Sequence, residues 1–105
     1  MSKEFKSQLL VQANSEISDM KYKVLENIQE LEKGCRCIIV KALNPDYYLL
    51  FNNIKAIITE NGSPLSHLAI AAREHNIPVF LAENIISNIP KKGEISIRGD
   101  IIEIK

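Results

Sequence analysis

The sequence has no excess of charge of either sign. Lysine plus arginine number 13 and aspartate plus glutamate number 13, so the formal net charge is zero. Nucleic-acid binders usually carry a basic face, and this balance argues against nucleic acid as the main partner. No apolar run approaches the roughly 20 residues that a membrane helix needs. The N-terminus, M-S-K-E-F-K-S, lacks the apolar stretch of a signal peptide. The expected location is therefore the cytoplasm, away from membranes. The chain shows no repeat, low-complexity tract or internal linker.

Cysteine is scarce as well. Cys35 and Cys37 are the only two, and they lie two apart in a stretch that reads as a strand, so both side chains should share a face. A disulfide between them would distort an extended strand. A metal site would need further ligands, and none cluster nearby. The expectation is two small apolar side chains against the core, with no metal.

What is present fits one compact domain spanning residues 1–105. Hydrophobic residues make up 46% of it, enough for a single core. Residues 1–12 read as a linker or N-terminal extension, although Leu9, Leu10 and Val11 offer something to dock. Residues 13–20 are loop-like. Residues 21–25 (K-Y-K-V-L) alternate as a strand with one wet face. Residues 26–33 hold a helical turn or a long loop, closed by Gly34. Residues 35–42 and 54–59 are β-branched and apolar, and the second reads as a central strand. Between them Asn44 can cap, Pro45 suits a first helical position and Asp46 favours a first turn. A short helix should follow to Phe51.

The densest stretch is residues 59–79, T-E-N-G-S-P-L-S-H-L-A-I-A-A-R-E-H-N-I-P-V. A turn at residues 61–64 leads into a helix over residues 66–75. Leu65, Leu68, Ala69 and Ala72 should form its inward stripe, and Asn76 should stop it. A strand over 78–82 and a helical turn over 84–89 come next. The chain closes with a hairpin, residues 94–98 and 101–105 about Gly99-Asp100. Helices and strands interleave early and hairpins lie at the ends, which predicts an α/β fold with a mixed sheet and a few short helices.

The chemistry sits at His67. Neutral imidazole attacks phosphorus without a separate base to activate it. The first amides of a helix lack internal partners and carry partial positive charge, so a phosphoryl group on His67 could be received there. Ser63 and Ser66 could donate hydroxyls to phosphate oxygens, Gly62 would allow close backbone approach, and Thr59 should face the same crevice at the carboxyl end of its strand. Arg73 could reach a phosphate, but its spacing turns it well around the helix, so an ion pair or a partner contact competes. Serine at a helix start is commonly only a cap, and a histidine after a turn is commonly structural. No acid is placed to orient the ring, although Glu60 and Glu74 are near. His75 reads as a solvent-exposed side chain.

The stretch resembles the phosphohistidine signature of the PEP-utilising enzymes. These include pyruvate phosphate dikinase, phosphoenolpyruvate synthase, enzyme I of the sugar phosphotransferase system and rifampicin phosphotransferase. The family pattern runs T, two residues, G-G, two residues, S/T/C-H-A-A-I, then A-R-E and G-I-P. The likeness extends upstream through V-K-A-L-N-P-D and K-Y-K-V-L, and downstream to K-K-G-E-I-S-I-R-G-D-I-I-E-I, covering residues 13–105. Departures fall at Ser63 for the second glycine, Leu68 for the first alanine, Asn76 for the glycine before I-P, and Ala82 for a later glycine.

The resemblance implies a swivelling β/β/α domain that carries phosphate on His67, with Thr59, Gly62, Ser63, Ser66 and Arg73 around the phosphate. It implies no cofactor on this domain. ATP and Mg2+ belong to partner domains, an ATP-grasp nucleotide-binding domain and a PEP/pyruvate barrel, in cis or in trans. The implied enzyme is a phosphotransferase of the phosphoenolpyruvate synthase or pyruvate phosphate dikinase type that needs those partners. A non-catalytic interaction or regulatory domain of the same fold is the alternative. An independent hydrolase would need a triad or a ligand cluster that the sequence does not offer.

Overall fold

The computed structural model describes residues 3–12 and 17–105. Among these the chain runs β1 (Lys3–Lys6), β2 (Gln8–Val11), β3 (Ile17–Leu25), β4 (Cys37–Ala42), β5 (Ala56–Asn61), α1 (His67–Glu74), β6 (Val79–Leu81), β7 (Lys92–Arg98) and β8 (Ile101–Ile104). Short 3-10 turns lie at Ile28–Glu30, Pro45–Leu50 and Ile86–Asn88. This is the expected α/β class with a mixed sheet. The strand order is β1-β8-β7-β3-β4-β5-β6-β2. The central run β3-β4-β5-β6 is parallel, and the flanking pairs are antiparallel.

The apolar runs of β4 and β5 follow from burial on both faces, the ordinary condition of parallel strands. Ile38, Val40 and Ile57 pack with Leu68, Ala69 and Ala72 of α1, with Tyr47 and Leu50 of the second 3-10 turn and with Phe51 just after it. Cys37, Ile39, Ala56 and Ile58 turn to the opposite face and meet Tyr22, Phe80, Ile95, Ile97, Ile102 and Ile104. Cys37 is a free, fully buried thiol, and burial pushes its pKa up, with nearby Cys35 adding to the effect.

The N-terminus differs from its sequence reading. Residues 3–11 are not a linker but two strands, one at each margin of the sheet: β1 pairs with β8, and β2 with β6. Only Ser7 separates them, so the sheet must curl until its margins meet. Ser7 anchors that corner, its amide and hydroxyl both donating to the Asp100 carbonyl at 2.7 and 3.0 Å. The segment is hard to read as strand because each piece has four residues and β1, K-E-F-K, is mostly polar and exposed.

Residues 17–20 are also strand rather than loop, while 13–16 lie outside the described residues. Asp19 breaks the alternation there. It adopts φ +48° at a register shift between β3 and β7, and a bulge absorbs it. Leu65 does not join the inward stripe and is 81% exposed, whereas Leu68, Ala69 and Ala72 are buried. It lies before the helix begins, so helical periodicity does not govern it. The punctuation holds elsewhere. Asn44 caps through its side chain to the Asp46 amide with Pro45 in the first turn, and Asn76 takes φ +58° as a helix stop.

Two outcomes are expected. Removal of residues 1–11 uncovers both sheet margins, so light scattering should show self-association and the thermal transition should fall or broaden. Cys37 should resist a thiol reagent at about pH 9, where a free thiol is largely ionised, and react only on unfolding.

Candidate functional site

The site is assembled where β5 runs out. Thr59 is fully buried. Its hydroxyl donates to the Asn61 carbonyl at 2.6 Å, which curls the strand end into a turn. Asn61 ties that turn to the end of β4 by donating its side-chain amide to the Lys41 carbonyl at 3.1 Å. Gly62 follows, and its lack of a side chain has a packing cause. A Cβ there would lie 2.8 Å from Leu43 Cδ1 and 3.1 Å from Leu43 Cγ. Glycine thus lets the turn close onto the segment leaving β4.

The two serines do different work. The Ser63 hydroxyl oxygen accepts from the Leu65 amide at 3.1 Å, and the Ser63 carbonyl accepts from the Ser66 amide at 3.1 Å. Ser66 is the N-cap of α1, with extended backbone and its hydroxyl oxygen accepting from the Ala69 amide at 3.3 Å. Each hydroxyl uses its oxygen in these bonds and keeps its proton to donate. The amides of His67 and Leu68, in the first turn, meet no acceptor among the described residues, as helix geometry requires of an N-terminus.

His67 is the first residue of α1 and is exposed. Its ring borders a shallow cleft shared with Pro45, Tyr48, Leu68 and Ala71. Gly62, Ser63 and His67 are exposed and Ser66 is half-buried, while Thr59 alone of the five is buried. Arg73 is exposed in the last turn and forms no ion pair among the described residues. Six residues of helix turn it about 120° away from His67. Leu68 points into the core at 2% exposure, so its departure from alanine is absorbed by packing.

The nearby acids are differently placed. Glu60 accepts from the Ile86 amide at 2.9 Å, which fastens β5 to the third 3-10 turn. Glu74 is exposed on α1. His75 is exposed, as read, but it is also engaged. Its Nδ1 lies 3.0 Å from the Ala71 carbonyl, and its ring meets Tyr48 and Phe51 edge-on, centroids 5.4 Å away in each case. Tyr48 thus links His75 to the His67 cleft. No sequence spacing announces this group, because its rings come from two separate elements.

A family model described as PEP-utilising enzyme, mobile domain, matches residues 33–101. An uncharacterized phosphotransferase of Bacillus subtilis is 32% identical over 87 residues, covering 81% of this chain and 10% of the relative. A probable phosphoenolpyruvate synthase of Staphylothermus marinus is 32% identical over 72 residues, 68% of this chain and 8% of the relative. A chondramide synthase of Chondromyces crocatus is 31% identical over 71 residues, 68% of this chain and 2% of the relative. The chain thus spans a tenth or less of these curated relatives. A solution NMR structure of a UPF0107 protein superposes with a TM-score of 0.64 at 11% identity, covering 98% of this chain and 99% of that one. At that identity it speaks for the fold alone.

The atom a Gly62 Cβ would meet is the end of the half-buried Leu43 side chain, which can turn aside, so substituting Gly62 by alanine should cost about 1 kcal/mol or less in denaturant unfolding. The additional change Leu43→Ala should return part of that loss. Additive losses would place the strain elsewhere.

Proposed function

Because the chain belongs to the PEP-utilising enzyme mobile-domain family, we propose that it is a phosphohistidine carrier, taking up a phosphoryl group on His67 at one partner site and releasing it at another. The observation that carries this reading is the placement of His67. It is exposed, stands at the first position of α1, and adjoins unpaired helix-start amides. In the loading step an imidazole nitrogen contributes its electron pair to a new N–P bond while the donor's P–O bond breaks and the leaving oxygen keeps its electrons. The unloading step runs this in reverse toward the acceptor's oxygen. The amides near the N-terminus of α1 and the protons of Ser63 and Ser66 favour the phosphoryl oxygens. Thr59 and Gly62 hold the turn that presents them. Arg73, round the helix, suits a partner contact better than the phosphate.

The surface about His67 fits a domain that seats in other proteins' sites. Leu65 is 81% exposed, and Tyr48 and Ile70 are about half exposed. The partners proposed are an ATP-grasp nucleotide-binding domain, where ATP and Mg2+ would reside, and a PEP/pyruvate barrel, in cis or in trans. The enzyme proposed is a phosphotransferase of the phosphoenolpyruvate synthase or pyruvate phosphate dikinase type, acting in the cytoplasm. No helix among the described residues is long and apolar enough to cross a membrane. A non-catalytic regulatory domain is the second reading. One observation favours it, the Ser63 side chain where the family pattern has glycine.

Supplied with such partners and labelled ATP or phosphoenolpyruvate, the chain should gain an acid-labile, alkali-stable phosphate. His67→Ala should abolish labelling, and Ser66→Ala should lower thermal stability by about 1 kcal/mol through loss of the cap. Labelling of His67→Ala at the wild-type level would overturn the reading. Absence of any label with partners proven active on another carrier would favour the regulatory alternative.

A further inference from the structure

The pole of the sheet opposite His67 carries a row of like charges. Lys21 of β3, Arg36 just before β4 and Lys55 just before β5 lie on three neighbouring parallel segments. The Arg36 amide donates to the Lys21 carbonyl at 3.0 Å, and the Lys55 amide to the Arg36 carbonyl at 2.6 Å. The three therefore stand abreast, one position before the paired row Tyr22, Cys37 and Ala56. Neighbouring strands lie about 4.8 Å apart, so the cations span about 10 Å. The Tyr22 row turns to the inner core. The cation row turns away from it into a shallow depression completed by Ser18, Asp19, Met20 and Gly34.

Like charges directly abreast in a sheet repel, and nothing among the described residues neutralises these three by an ion pair. The surrounding acids are accounted for. Asp19 lines the depression, but the bulge in β3 directs its carboxylate to Lys105 and toward Ser96. Glu32 pairs with Lys23 and Lys92. Glu94 is the cross-strand partner of Lys21 on β7 without closing an ion pair to it. The net charge of zero thus conceals a local concentration of positive charge.

We propose that this depression binds a multiply charged phosphate oxyanion, pyrophosphate or a terminal di- or triphosphate group, across Lys21, Arg36 and Lys55. A linear chain of phosphates matches a linear row of cations, and Arg36 at its centre offers planar, paired donors to one phosphate while the lysines flank it as point charges. The site is separate from the carrier histidine. β4 alone has six residues, which sets about 20 Å of strand between the two poles.

The test is a titration of the full chain with pyrophosphate at constant ionic strength, followed by amide chemical shifts. Saturable shifts confined to the neighbourhood of residues 18–21, 34–37 and 54–56 are expected. Arg36→Gln should weaken binding about tenfold, the loss of one charge-assisted contact, and Lys55→Gln should weaken it to a lesser extent. His67→Ala should bind as wild type, so the outcome is independent of the carrier reading. Parallel titrations with orthophosphate and a nucleoside triphosphate separate a free anion from a nucleotide source. The proposal is overturned if the shifts match those of added potassium chloride, spread over the whole surface, or follow the wild-type binding curve in a folded Arg36→Gln variant. Preference for an acidic peptide over pyrophosphate would also overturn it.

Discussion

Parallel pairing of β4 with β5 is the constraint on which the remaining architecture depends. Two parallel neighbours cannot be joined by a tight turn, so the chain must travel back along the sheet between them. It does so by the Pro45–Leu50 turn after β4 and by α1 after β5, and both pack in one cluster with Ile38, Val40 and Ile57. Every such return leaves from the carboxyl ends of the strands. The start of α1, with His67, is therefore at the same pole as the segment leaving β4, with Leu43 and Tyr48. The contact of Gly62 with Leu43 and the cleft between His67 and Tyr48 are consequences of that shared pole. Ligand sites in open α/β sheets favour this location for the same reason.

The inner core makes a second demand. Isoleucines of β7 and β8 must be covered together with Tyr22, Ile39 and Ile58, and a flat sheet would leave the face they share open to water. Curling encloses it, and the N-terminal segment completes the curl by lining both margins. The same nine residues cover the edges of β8 and β6, and leave only the four-residue strands β1 and β2 as outer margins, where a short edge offers other chains little backbone to pair with. The His67 pole and the cation row then lie at opposite ends of the sheet.

Much of the fold could be read from residues 17–105 because the signals there are local. Asn44-Pro45-Asp46 marks a cap, Gly99-Asp100 a hairpin, and the apolar runs of β4 and β5 doubly buried strands. Where reading failed, the cause was long-range. β1 and β2 are strands because β8 and β6 offer them partners, and four mostly polar residues such as K-E-F-K carry no pattern of their own. Asp19 looked like a loop residue because a bulge, which depends on the partner strand, hides inside β3. Leu65 looked like a core residue because its spacing fits a helix that starts two residues later.

The sequence by itself determined the family, the cap of α1 and the histidine that follows it. His67, Ser66 and the turn before them are contiguous, and short-range geometry leaves them few arrangements. Only the tertiary structure decided what each neighbour does. Thr59 proved a buried clasp on Asn61, and Gly62 a relief for Leu43. His75 entered an aromatic group with Tyr48 and Phe51, and Lys21, Arg36 and Lys55 became one row. Each of these depends on which strands pair and in what register. That pairing is set by enclosure of a common core, a property of the whole chain rather than of any window within it.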